Sequence, residues 1–514
     1  MEGHHIIQQR PMLAWLGLVL VALGIGARFW DLGRMVVWHD EAFSVVRVLG
    51  FDHDAVLRDL YTAGRDLSAA DLLRYQTPDP TLGWADAWHA MRGHPEHAPL
   101  FYLLARMPAL AADTAIVGIR ATSALLSALL IPAMAWFAWE LFQRRSAVWL
   151  AAIVVSVAPL HLLYAQEARE YALLAAIVAS SSAAFLRALR RDSWAAWSLY
   201  AALVALGLYT HLLIGLSLAA HALYGLAATF TDRMSLRRFA RGYGFAVGAA
   251  LLAFVPWILV MLDGLQALRH FTAWMTMPAR PGQLLTAWAA GLSRPFVDLP
   301  AWPLAWLAVM PLLGVAFWYR ERCRDGRLLW LMVLVPFVVV AGPDLMTGGR
   351  RSLEARYLMP AFLAIELLVA GALNRGLASG PWSRRVATVA LATLVALGLA
   401  SQWRILQAES WWSKSYSGRN AAFARLVNVT DRPMLLASAG DVNLGELLSL
   451  AYHLDGKVRL RLREDISAPI PADVTALFAL LPGDALRRGL EDDYDIHAFD
   501  GTWQWFVLTP RISG

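Results

Sequence analysis

The strongest constraint on this chain is a series of apolar runs, most of them about the ~20 residues that a helix needs to cross the hydrocarbon of a bilayer. They fall near 12–30, 115–140, 147–165, 170–187, 195–210, 212–230, 243–262, 302–319, 327–341, 357–373 and 386–403. With 58% hydrophobic residues, only 16% charged ones and a mean hydropathy of +0.48, the sequence is far more apolar than a soluble globular protein. The expected fold is therefore an all-α polytopic membrane domain of about eleven transmembrane helices.

The arginines orient it, because short loops rich in Lys and Arg stay on the cytoplasmic side. Arg10, Arg144 with Arg145, Arg187 with Arg190 and Arg191, and Arg233 with Arg237, Arg238 and Arg241 occupy alternate loops. Arg320 with Arg322, Arg324 and Arg327, then Arg375 with Arg384 and Arg385, continue the pattern. An inside N-terminus and eleven crossings put Asp40, Glu41, His97, Gln166 to Arg169, Thr210-His211, Arg350 to Arg356 and everything after Ser401 outside. The first run resembles a signal peptide, with Arg10 before it and Gly24, Gly26 and Ala27 near its end. Phe29, Trp30 and the many later spans favour its retention.

The formal charge of +6 calls for no nucleic acid, since the inside loops explain the basic residues. Cys323 is the only cysteine, so neither an internal disulfide nor a cysteine metal cluster is available. After Trp403 the composition becomes mixed and charged. The expected division is a membrane domain over 1–403 and a small extracytoplasmic α/β domain over 404–514, of an ordinary domain size. Helices are expected at Asn420 to Val427, Leu444 to Leu454 and Asp484 to Glu491, and strands at Met434 to Ala437, Thr475 to Leu480 and Trp505 to Leu508. Gly440-Asp441-Val442-Asn443 reads as a turn with an asparagine N-cap, without a nucleotide-binding glycine pattern.

Four polar motifs lie on the outer face. Trp38-His39-Asp40-Glu41 sets two adjacent carboxylates just past the first span, where ionisable groups default to functional readings; taken alone, they also fit a solvated helix end. His97-Ala98-Pro99-Leu100-Phe101-Tyr102 follows in the same stretch. Tyr164-Ala165-Gln166-Glu167-Ala168-Arg169-Glu170-Tyr171 joins two spans almost without a loop, which puts Arg169 at headgroup level to meet a phosphate, or in a salt bridge beside interfacial tyrosines. Gly348-Gly349-Arg350-Arg351-Ser352-Leu353-Glu354-Ala355-Arg356-Tyr357 clusters arginines against the inside trend. Guanidinium forks matched to phosphate oxygens explain that exception, with plain headgroup contact the alternative for Arg350 and Arg351.

Asp40-Glu41, His97-x-Pro99-x-x-Tyr102, Gln166-Glu167-Ala168-Arg169-x-Tyr171 and Ala355-Arg356-Tyr357-Leu358-x-Pro360, in this order, resemble the bacterial branch of the protein mannosyltransferase and aminoarabinose transferase group. These are integral-membrane glycosyltransferases of the GT-C fold, grouped as glycosyltransferase family 39 and its relatives. The resemblance covers most of residues 10–375. Ala98 stands where the group has proline, and the stretch between Asp40 and His97 is longer than usual.

The resemblance implies transfer of a sugar from a polyprenyl-phosphate donor to a lipid, glycan or protein hydroxyl of the cell envelope, at the outer face of a bacterial inner membrane and with inversion. The acceptor hydroxyl needs a carboxylate base, for which Asp40 is the first choice and Glu41 the second. The leaving phosphate gains charge that preorganised cations stabilise. Arg169 and Arg356 are the candidates, with Tyr171 and Tyr357 beside them and His97, Tyr102 and His211 contacting substrate. His39, Asp40, Glu41, His94, Glu96 and His97 could hold Zn or Mn, but their spacing matches no ligand motif and Pro95 and Pro99 make a rigid turn the simpler account. A transporter or flippase of anionic lipids is the rival reading; such carriers tend to bind at the midplane on broken helices in repeated halves, whereas here the polar motifs share one interface.

Because Arg320, Arg322, Arg324 and Arg327 surround it, Cys323 is expected inside. A membrane-impermeant thiol reagent should spare it in intact cells and label it after lysis; labelling of intact cells would invert the orientation.

Overall fold

The computed structural model describes residues 2–62, 64–231, 235–299, 326–463 and 469–511. Among them, six helical stretches are long and apolar enough to cross a membrane: Ala115–Phe142, Tyr171–Arg191, Leu236–Asp263, Gly326–Thr347, Ala355–Ala378 and Pro381–Lys414. A seventh results if Arg145–Val157 and Pro159–Ala165, bent by 59°, make one span. The bend has a local cause, since Pro159 offers no N–H and biases Ala158 towards its extended conformation (φ −65°, ψ 116°). The runs expected at 12–30, 195–210 and 212–230 fall on helices whose apolar stretches, Met12–Arg28, Trp194–Leu208 and Ile214–Phe230, are shorter. The expected span at 302–319, Arg233, Arg320, Arg322, Arg324 and Cys323 lie outside the described residues.

The chain divides into two compact units. The first comprises Met1–Trp30, His94–Phe101 and Ala121–Gln407 and holds most of the membrane helices. Burial ranks them: 94% of the apolar window of Ala355–Ala378 is enclosed against 22% for Leu236–Asp263, so the former is central and the latter turns Leu252, Leu259 and Leu262 outward. Helices in lipid gain from close approach and from polar contacts between them. Glycine supplies the first: a Cβ on Gly24 or Gly398 would lie 2.6 Å from the carbonyl oxygens of Ser156 and Val157, respectively. Polar contacts are supplied by Tyr200 Oη, 2.9 Å from His221 Nδ1, by His221 Nε2, 3.1 Å from Ser182 Oγ, and by His161 Nε2, 3.0 Å from a Glu366 oxygen.

The second unit comprises Asp31–Gly93, Tyr102–Arg120 and Ala408–Gly514. Its sheet contains β1 (Pro433–Ala437), β2 (Arg459–Leu462), β3 (Ala476–Leu480), β4 (Tyr494–Ala498) and β5 (Trp505–Pro510), in the order β2-β1-β3-β5-β4. β1 is parallel to both β2 and β3, while β5 is antiparallel to β3 and β4. The continuously apolar Pro-Met-Leu-Leu-Ala and Ala-Leu-Phe-Ala-Leu strands take the middle, as burial on both faces requires. Charged β2 and β4 take the edges, where exposed backbone groups discourage apolar strands. Met434, Leu436, Leu477, Ala479, Leu486, Leu490 and Leu508 form a core cluster. The early part of the chain joins the β2 edge: Leu67 and Leu460 exchange N–H to carbonyl bonds of 2.8 Å, and Arg461 meets Asp66 at 2.7 and 3.2 Å.

The helices Asn420–Val429 and Asp484–Glu491 fall at the expected positions, and the one expected at Leu444 to Leu454 runs three residues earlier, over Asp441–Ala451. The expected asparagine cap does not form. The helix starts at Asp441 after Gly440, whose φ of +151° suits glycine. Asn443 lies within the first turn and donates its amide to Ser438 O at 2.7 Å and Leu481 O at 3.2 Å.

A buried ion triad ties this unit's three segments together. Glu41, in the first turn of His39–Leu49, accepts from Arg120 Nε at 2.8 Å through Oε1 and from Arg120 Nη2 at 2.7 Å through Oε2. Lys414 Nζ also donates to Oε2, and both Glu41 and Lys414 are fully enclosed. Arg120 uses its remaining N–H groups on the carbonyls of Leu32, Met35 and Val36 at 2.8 to 3.0 Å. Burial alone would raise the Glu41 carboxyl, but Arg120 and Lys414 outweigh it and hold its pKa at about 2.

Removing one member of such a set strands the others' charge, a loss of about 3–5 kcal/mol. Glu41→Gln should therefore lower the unfolding midpoint of detergent-solubilised protein at neutral pH. The Glu41 pKa is depressed on folding, so its contribution is complete above the ordinary 4.5 and is lost as pH falls towards about 2. A parent protein that melts at the same temperature as Glu41→Gln at neutral pH would contradict this role.

Candidate active site

Two polar clusters carry the expected site residues, one in each unit. In the second unit, Trp38 is extended (φ −93°, ψ 164°) and its N–H donates to Glu41 Oε2 at 3.2 Å, which starts the helix His39–Leu49. Successive helical side chains diverge by about 100°, so turning Glu41 inward turns Asp40 elsewhere. Asp40 keeps one-fifth of its side-chain surface exposed, and its Oδ1 lies 3.0 Å from His39 Nε2. Burial would lower the His39 pKa, but Asp40 and Glu446 outweigh it and raise it to about 9. The two adjacent carboxylates thus differ in kind: Asp40 is reachable and Glu41 is sealed under two cations.

Tyr102 is fully buried in this unit, with the Arg47 guanidinium 4.8 Å from its ring centre. His97, five residues earlier in the same motif, belongs to the other unit.

In the first unit, residues 166–170 connect Pro159–Ala165 to Tyr171–Arg191, and every one of them is buried. Gln166 fastens the turn by donating its amide to Ala27 O at 3.2 Å and Trp30 O at 2.8 Å, satisfying carbonyls at the end of the first helix. Glu170 lies 3.4 Å from His97 Nδ1 and 3.5 Å from Arg169 Nε. Burial opposes its charge, yet Arg169 and His97 hold it well below the usual carboxylate range.

Two guanidiniums flank one ring here. Arg169 and Arg356 carry their Cζ atoms 5.9 and 5.4 Å from the Tyr171 centroid, within cation–π reach. Arg356 is also 5.8 Å from the Tyr357 ring and 3.2 Å from Glu354. Both arginines are little exposed, at 4% and 11% of the side chain, so their charge is poorly screened. His211 joins the group, its ring 5.7 Å from Tyr171 and 6.4 Å from Tyr357. Burial lowers its pKa to about 4. The ring is therefore neutral at pH 7; its Nδ1 accepts from Leu213 N at 3.1 Å, which leaves the proton on Nε2 as a donor.

The arrangement thus brings together Arg169, Tyr171, His97, His211, Arg356 and Tyr357. Of the neighbouring arginines, Arg351 turns to buried Asp344 at 3.4 Å. The salt-bridge alternative for Arg169 is met by Glu170 at 3.5 Å, whereas sequence reasoning missed Arg120, Lys414 and Glu446. Composition carried a signal for one: Lys414 and Lys457 are the only lysines among 45 basic residues, so choosing lysine at 414 sets that position apart. Among the described residues, no three His, Cys, Asp or Glu side chains converge as metal ligands; Glu96 meets His94 at 3.1 Å and His97 at 3.7 Å.

No family model and no curated protein matches the sequence. Solved structures do match. ArnT from Cupriavidus metallidurans bound to undecaprenyl phosphate superposes with a TM-score of 0.57 at 13% identity, over 96% of this chain and 98% of that one. The same protein in its apo state gives 0.55 at 14% identity, over 98% of each. The apo oligosaccharyltransferase of Archaeoglobus fulgidus gives 0.50 at 10% identity, over 96% of this chain and 74% of its own. Identities this low speak for architecture alone, and the architecture is the one implied by the order of the motifs: the chain has the GT-C fold of these glycosyltransferases.

Proposed function

We propose that this protein is an integral-membrane glycosyltransferase that moves a sugar from a polyprenyl-phosphate donor to a cell-envelope hydroxyl at the outer face of a bacterial cytoplasmic membrane. The observation that carries this reading is the nearly end-to-end likeness to an ArnT that holds undecaprenyl phosphate. The full set of eleven crossings, with the N-terminus inside and the terminal segment outside, is part of the proposal. It places all four polar motifs where lipid-linked sugars are presented.

In the proposed reaction the acceptor oxygen bonds to the anomeric carbon as the bond from that carbon to the phosphate oxygen breaks. The acceptor proton goes to Asp40, and the electron pair leaves with the polyprenyl phosphate. A single displacement of this kind inverts the anomeric centre. Asp40 suits the base because it is reachable and ionisable, whereas Glu41 is committed to Arg120 and Lys414. Arg169 and Arg356, poorly solvated and already positioned around Tyr171, suit the carrier phosphate. Neutral His211 can donate to a phosphate oxygen without adding charge, and His97 orients Glu170 beside Arg169.

Two substitutions separate these roles. Asp40→Asn keeps the shape but is too weakly basic to accept the proton, so turnover should fall about 100-fold or more while undecaprenyl phosphate binding stays unchanged. Arg356→Lys keeps the charge but loses the two-pronged fork, so undecaprenyl phosphate should bind measurably more weakly. Near-normal transfer by Asp40→Asn would remove the base assignment; unchanged lipid binding by Arg356→Lys would leave that arginine a structural partner of Glu354.

A further inference from the structure

Glu446 stands apart among the buried carboxylates of the second unit. It is fully enclosed on the helix Asp441–Ala451, and its oxygens accept from Ser417 Oγ at 2.7 Å and Asn420 Nδ2 at 3.1 Å. Among the described residues, no arginine or lysine pairs with it, so its charge is met by hydroxyl and amide donors and by one cation, the His39 ring, whose Nδ1 is 3.4 Å from Oε1. A carboxylate removed from water needs a compensating charge or strong donors. His39 has no freedom to turn away. Its backbone N–H donates to Ser417 Oγ at 3.0 Å, its ring meets the edge of Tyr416 at 5.1 Å and of Trp38 at 4.8 Å, and Gly445 lies so close that a Cβ there would come within 2.7 Å of the His39 Cβ. Its other nitrogen, Nε2, faces Asp40 Oδ1 at 3.0 Å.

We propose that Glu446, acting through His39, is a positioning residue for Asp40, so that the terminal segment supplies the support of the base. The line of groups is carboxylate, imidazolium, carboxylate. Glu446 keeps the proton on His39 Nδ1, and His39 in turn holds one Asp40 oxygen by a charged hydrogen bond and fixes the direction of the carboxylate. No proton has to travel along the line: the acceptor's proton ends on Asp40. Among the described residues, Asp40 and Glu446 are the charged groups that face His39, with the Tyr416 phenol the further titratable neighbour, and the two carboxylates' pull agrees with its raised pKa of about 9. The inference rests on the reading of Asp40 as the base.

The test pairs a catalytic readout with one independent of catalysis. In Glu446→Gln, His39 loses one of its two carboxylates, so its pKa falls and the alkaline limb of the pH–turnover profile moves to lower pH. At pH 8 turnover should drop at least about tenfold with KM for the lipid-linked donor little changed, and it should recover towards the parent value near pH 6. Glu446→Asp, which keeps the charge, should restore most of the limb. Independently, diethyl pyrocarbonate acylates an imidazole only in its neutral form; peptide mass spectrometry of His39 should place the midpoint of its modification near pH 9 in the parent and lower in Glu446→Gln. If Asp40→Asn is inactive but Glu446→Gln leaves both the limb and the His39 midpoint in place, the positioning role is wrong and the base assignment survives. If the His39 midpoint moves while Asp40→Asn remains active, the pairing stands and the base assignment falls.

Discussion

The bidentate pair between Glu41 and Arg120, closed by Lys414, is the interaction on which the rest of the second unit depends. It joins a helix just past the first span, the start of Ala115–Phe142 and the segment after Gln407, so three distant stretches of sequence meet at one carboxylate. Charges in a poorly hydrated setting interact strongly and punish incomplete pairing. The same pull that turns Glu41 inward sends its neighbour the other way, and that is how one of two adjacent carboxylates keeps part of its surface exposed. The placement of Asp40 is thereby coupled to the folding of residues almost four hundred positions away, since Lys414 lies 373 residues from Glu41.

The first unit solves a different electrostatic problem. Two little-exposed guanidiniums must be held around one ring while both stay charged. Arg169 and Arg356 are held partly by the face of Tyr171, an electron-rich partner that attracts a guanidinium without neutralising it. Glu170 and Glu354 lie at 3.5 and 3.2 Å, so each arginine also keeps one carboxylate neighbour. Neutral His211 adds a hydrogen-bond donor and no further repulsion. In the proposed function a phosphate would bind here by exchanging modest interactions for stronger ones, which suits a carrier that must also be released.

How much of this was legible in the sequence follows from the range of the interactions. The spans at 115–140, 170–187, 243–262 and 357–373 were readable because ~20 consecutive apolar residues have few alternatives to crossing lipid, and helices occupy those positions. β1, β3 and β5 were readable as short apolar runs. β2 and β4 were not, because Arg-Leu-Arg-Leu and Tyr-Asp-Ile-His-Ala carry charge and become strands only by pairing at an edge. Asn443 looked like a cap on local grounds, but its amide is claimed by carbonyls of Ser438 and Leu481. The separate fates of Asp40 and Glu41 could not be read locally either: the partners that decide them, Arg120, Lys414 and Glu446, come from far along the chain.

As proposed, the protein moves sugar from a lipid carrier and does not merely bind or translocate that carrier. Purified protein in liposomes, supplied with radiolabelled polyprenyl-phosphate sugars and cell-envelope fractions, tests it directly. The expected result is protein-dependent appearance of label in an acceptor, together with release of free polyprenyl phosphate. Protein-dependent movement of the intact donor across the bilayer, with no label reaching any acceptor, would contradict it and identify a carrier of anionic lipids instead.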